Sequence, residues 1–160
     1  MEVWHDFFVA VAGAAAALTG LIFVGVSLSL TRLLTIPSLL DRTSEALMLL
    51  VTVLIIACLC LVPGQSHSLL GIECLVIGII LWTITLKLDL MILRGTAKEY
   101  KKHYIRMIVV TQLAVLPYIV SGLVTLCAGE VGVYWLIPAI VFSFGKAVLD
   151  AWVILVEIHR

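Results

Sequence analysis

The chain is poor in charge. Of its 160 residues only 12% are Asp, Glu, Lys or Arg, against roughly 25% in an ordinary soluble domain. Ten basic and ten acidic residues cancel, so no positive field advertises DNA or RNA, and no nucleic-acid partner is expected. Cysteine is scarce at four residues, and Cys58, Cys60, Cys74 and Cys127 show no zinc-finger spacing. A soft-metal site combining these thiols with Glu73 and His67 is disfavoured, because Cys58 and Cys60 stand two apart on a helix and point roughly 200° apart. No phosphate loop, dinucleotide glycine pattern, zinc-protease helix or nucleophile elbow is present. His5, His67, His103 and His159 fall in loops or tails, and none pairs with a serine on a shared helical face. The sequence thus offers no catalytic residue, metal site or cofactor, and gives no positive ground for an enzyme.

What is abundant is apolar. Hydrophobic residues make up 63% of the chain and the mean hydropathy is +1.24, more than one small core can hide from water. The fold class expected is an all-α integral membrane protein. A spanning helix needs about 20 apolar residues, and five segments meet or approach that length, over about 7–30, 46–62, 69–91, 105–127 and 131–156. They predict a compact five-transmembrane-helix bundle forming one domain, 1–160. The first segment is too long for a secretory signal core, and its leader, Met1 to Asp6, is acidic where a signal is basic. It is read as a permanent span.

Basic residues are retained in short cytoplasmic loops, which sets the orientation. With five spans, Arg32, Arg42, Lys87, Arg94, Lys98, Lys101, Lys102, Arg106 and Arg160 all fall on one side, and the opposite loops hold no basic residue. The N-terminus is therefore expected outside and the C-terminus in the cytoplasm, in a bacterial or archaeal inner membrane. The stretch 31–44, which mixes leucines with charges, is suited to lie flat at the inner interface. The basic connection at about 92–104 is expected to extend the third helix before turning back. Lys98, Lys101, Lys102 and Arg106 there suit anionic lipid heads, although retention of topology alone also accounts for them.

Small residues crowd the first helix: Ala12, Ala16 and Gly20 share one face, Gly13 and Ala17 a neighbouring one, and Gly25 continues toward the cytoplasm. Such residues permit close backbone approach in lipid, so this helix is expected at the centre, against another helix of the chain or a second subunit. Pro117 lies well inside the fourth segment and crowds the carbonyl of Leu113, which makes it a candidate hinge, with Gln112, Tyr118 and Ser121 nearby. Trp82 and Tyr118 are too deep to sit at headgroups, so their polar tips need partners inside the protein.

The sharpest feature is Lys146 with Asp150, four apart in the last segment and sharing a face with Ala139, Phe142, Val153 and Glu157. Charges at that depth avoid lipid and face protein or water. They serve either as a buried ion pair fixing a helix or as part of an ion path. Glu73, one turn into the third helix, marks the outer mouth of such a path. The leading expectation is a small homo-oligomeric channel or transporter subunit passing cations or protons along Lys146, Asp150 and Glu73, with Gln112, Tyr118 and Ser121 as further pathway residues. The alternative is a nonconducting accessory protein that docks another membrane protein through its first helix.

Overall fold

The structure, a computed structural model, describes residues 2–30, 37–95 and 101–158. Among these residues the regular structure is entirely helical. After a 3-10 turn at Glu2–Trp4 come α1 (His5–Leu28), α2 (Pro37–Cys60), α3 (His67–Gly95) and α4 (Lys101–Ala128). A second 3-10 segment, Gly129–Trp135, leads into α5 (Leu136–Ile158). These elements form two compact units, one of Met1–Gln65 with Ser143–Arg160 and the other of Ser66–Phe142. The division falls within α5.

Among the described residues, four helical stretches are long and apolar enough to cross a bilayer: His5–Leu28, Leu39–Cys60, His67–Arg94 and Tyr104–Ile154. The last holds 51 residues and, as one straight rod, would measure about 76 Å, more than twice a hydrocarbon core of about 30 Å. It is not straight. Gly129 adopts φ +65°, a left-handed conformation open to glycine, and the Ser121 hydroxyl donates to the Gly132 carbonyl at 2.9 Å. Residues eleven apart on a continuous helix stand about 16 Å apart, so the chain doubles back at Gly129.

Helix α2 begins at Pro37, earlier than residue 46 where the apolar run starts. Proline fits the first helical position because its missing N–H has no intrahelical partner there. Part of the stretch expected to lie flat at the interface, Pro37 to Ser44, is therefore continuous with α2. Leu61 and Val62 donate to the carbonyls of Cys58 and Leu59, both at 3.1 Å, and tighten the end of α2 before the turn at Pro63. Ser66 then caps α3, its hydroxyl accepting from the Leu69 amide at 3.3 Å.

In the first unit α1 packs on α2 through Phe8, Val11 and Ala15, all buried. On α2 the buried stripe runs Ala46, Leu49, Leu50, Val53, Ile56, Ala57 and Cys60, the three-to-four spacing of one helical face. Ala46, Leu50 and Ala147 cluster with Leu18, Ile22 and Phe144 around them. Within this chain α1 buries 17% of its apolar stretch while α2 buries 56%. The small residues do not make α1's contacts in this chain: Gly13, Ala16, Ala17 and Gly20 are exposed, and Ala12 and Gly25 lie outside the buried set.

The second unit holds the close backbone approaches. A Cβ added at Gly122 would stand 2.6 Å from the Leu75 backbone nitrogen, and one at Gly78 3.1 Å from that of Ile119. Glycines thus set the separation of α3 and α4. Helical hydroxyls are mostly satisfied within their own helices: Thr43 donates to Leu39 at 2.7 Å, Thr52 to Met48 at 2.8 Å and Thr85 to Leu81 at 2.9 Å. This local bonding lets polar side chains sit in an apolar helix without a neighbour.

Candidate functional site

Ionisable side chains in an apolar segment must find compensation, because a lone charge away from water is expensive. Lys146 finds it twice. Its ammonium is hydrogen-bonded to Asp150 Oδ2 one turn further along α5 and lies 3.2 Å from Glu45 Oε2 on α2. All three belong to the first unit. Lys146 is 4% exposed, Asp150 1% and Glu45 8%, so the triad is closed to bulk solvent. Arg42, half-buried one turn before Glu45, is near enough for its charge to act on Asp150.

One ammonium thus serves two carboxylates, with the Arg42 guanidinium as a further positive charge at the margin. Acceptor capacity is left unused, since Asp150 Oδ1 has no hydrogen-bond partner among the described residues. The periodicity of both helices explains the meeting. Glu45 adjoins Ala46 on the buried stripe of α2, and Lys146 and Asp150 lie on the face of α5 that buries Ala139, Ile140, Ser143, Ala147 and Ile154. That face is rotated from the one read from sequence, for Phe142 is 43% exposed and the side chain of Glu157 lies outside the described residues.

Beside the triad helices, an apolar groove of about 630 Å³ is lined by Leu18, Ile22 and Val26 of α1, Leu50 of α2, and Trp152 and Ile154 of α5.

The structure brings together Lys146 and Asp150 of the residues singled out for transport. Glu73, half-buried on α3, and Gln112, Tyr118 and Ser121 on α4 belong to the second unit. There the Trp82 indole donates to Gln112 Oε1 at 2.9 Å, a polar partner of the kind its depth demands. Tyr118 is fully buried, Ser121 spends its donor on Gly132, and α4 runs through Pro117 from Lys101 to Ala128. Of the candidate lipid contacts, Lys101, Lys102 and Arg106 occupy the first turns of α4, with Lys102 and Arg106 exposed. Lys98 lies outside the described residues. At the other end of this unit His67 approaches Glu130 at 3.7 Å.

The four cysteines are free thiols, Cys60 and Cys74 buried and Cys58 and Cys127 exposed. Among the described residues no three His, Cys, Asp or Glu side chains converge as metal ligands would.

Two residues escaped the sequence reading. Glu45 stands just before the uninterrupted apolar run begins, yet its place beside buried Ala46 marks it as inward-facing. Asp89, 8% exposed near the end of α3, carries the same signal, since it falls four residues after buried Thr85. Comparison with protein-family models, curated proteins and solved structures returns no match.

Proposed function

We propose that the protein is a small membrane channel or transporter subunit, acting as a homo-oligomer, that passes protons or cations by way of Lys146, Asp150 and Glu45. The observation that carries this reading is the buried Asp150 Oδ1, which has no hydrogen-bond partner among the described residues although Lys146 reaches both Asp150 Oδ2 and Glu45 Oε2. A purely structural pair in lipid is served by equal and opposite charges, and a second carboxylate adds desolvation that such a pair does not need. Two carboxylates sharing one ammonium give two alternative pairings, so a bound positive ion can trade places with Lys146 at one of them.

The doubling-back at Gly129 supports five crossings, with the 51-residue stretch crossing twice. The one-sided loop cations support an outer N-terminus and a cytoplasmic C-terminus. In that orientation α2 rises from the cytoplasm and α5 descends toward it. The triad then lies in the inner half of the membrane, and Glu73 lies toward the outer face. Gln112, Tyr118 and Ser121 are further candidate pathway residues, Pro117 is the candidate hinge, and Lys101, Lys102 and Arg106 are candidates for contact with anionic lipid heads.

Flux into proteoliposomes under imposed proton, sodium and potassium gradients tests the reading. Wild type is expected to pass at least one ion, and Asp150→Asn to change that flux while the protein elutes and melts as wild type does. Vesicles tight to every gradient would remove it. In that case the accessory reading takes its place, favoured by the open face of α1, where a Cβ added at Gly13, Gly20 or Gly25 meets nothing within 4 Å and another membrane helix has room to dock.

A further inference from the structure

The same triad indicates which ion it handles. Metal cations held by proteins are surrounded by several oxygen ligands. Here the space between Glu45 Oε2 and Asp150 Oδ2 is already filled by the Lys146 ammonium, and no third metal-ligating side chain converges on it among the described residues. What the triad offers is a single carboxylate oxygen, Asp150 Oδ1, on a side chain 1% exposed and without a hydrogen-bond partner among the described residues. One unfilled acceptor oxygen matches one proton.

We infer that Asp150 Oδ1 is the atom at which this protein receives a proton, with Lys146 and Glu45 as the counter-charges that govern its arrival and departure. The inference rests on the transport reading and names its ion. Unloaded, the triad carries two negative charges and one positive. Loading forms an O–H bond at Asp150 Oδ1 and leaves the carboxyl neutral, and Lys146 keeps its own proton and its ion pair with Glu45. A neutral carboxyl is the form that burial away from water favours. Loss of the proton restores the ammonium's attraction to Asp150. No electron moves, and the single proton is gained and given up whole.

The charged groups around Asp150 among the described residues are few. Helix α2 contributes Glu45 and Arg42, and α5 contributes Lys146. Helix α1 carries only His5 and Asp6, at its far beginning. Arg42 is half-buried, so its charge is more screened than that of Lys146 and it acts from the margin.

Infrared difference spectroscopy of the reconstituted full-length protein, titrated from alkaline to acidic pH, reads the carbonyl band of a protonated carboxyl directly. In wild type a band is expected to grow that is missing from Asp150→Asn, the variant's spectrum serving to subtract Glu73, Asp89 and the remaining carboxyls. The two counter-charges should move its midpoint in opposite directions, each by about one to three pH units, the usual effect of a close charge. Glu45→Gln leaves the ammonium to Asp150 alone and moves the midpoint to lower pH, whereas Lys146→Met removes the ammonium and moves it to higher pH. Should Lys146→Met fail to fold, the near-isosteric Glu45→Gln keeps the test intact. Identical titrations of wild type and Asp150→Asn would overturn the inference, as would shifts of the same sign in the two counter-charge variants. A band lost with Asp150→Asn but no ion flux supports the proton site and retires the transport reading, whereas flux with no such band retires the proton site alone.

Discussion

At the scale of single residues, the protein is organised around an ammonium that two carboxylates share. Removing one member of a buried ion pair strands the other, at a typical cost of about 3–5 kcal/mol. Lys146→Met strands Asp150, so it is expected to destabilise the fold by about that range at neutral pH, read from unfolding in mixed micelles. The nearby Val148, 50% exposed, gives a control: Val148→Met keeps an apolar surface apolar and should fall within about 0.5 kcal/mol of wild type. Lys146 and Asp150 were legible in the sequence because an apolar stretch makes any charge conspicuous and a spacing of four places them on one face. Glu45 was not. It stands at the edge of its apolar run, where a charge looks like the end of a helix, and only the early start of α2 at Pro37 puts it within the span.

At the scale of elements, the long apolar helices were legible because lipid imposes both a length and a near absence of charge. Which helix packs tightly was not. The glycines of α1 stand in open space within this chain, whereas those that a Cβ would crowd are Gly71 and Gly78 on α3, Gly122 on α4 and Gly132 in the 3-10 segment. Their role depends on what lies opposite, and that is a property of the fold. The difference can be measured. Gly122→Ala drives a methyl group against the Leu75 backbone, 2.6 Å from its nitrogen, and overpacking of this kind costs about 1–3 kcal/mol. Gly20→Ala meets nothing within 4 Å and should be neutral or stabilising by up to about 1 kcal/mol through helix propensity. Thermal melts of the two variants in the same detergent give the comparison.

At the scale of the whole molecule, the 3-10 segment after Gly129 decides how many times the chain crosses. Five crossings put the ends on opposite sides, four on the same side. Single cysteines in a cysteine-free background distinguish these: with a membrane-impermeant maleimide applied to intact cells, Val3→Cys is expected to react and Arg160→Cys to react only after permeabilisation. Reaction of both in intact cells would make the number of crossings even and remove the inner-half placement of the triad. The side on which each loop lies was read from loop cations, a signal independent of packing, and it therefore carries information that helix contacts do not.

The first unit is assembled from both ends of the chain, Met1–Gln65 and Ser143–Arg160. Synthesis therefore delivers Glu45 about a hundred residues before the lysine that answers it. While the ribosome is making α3 and α4, the growing chain holds Glu45 without the ammonium that will stand 3.2 Å from it, and the buried triad closes only when the last helix is made.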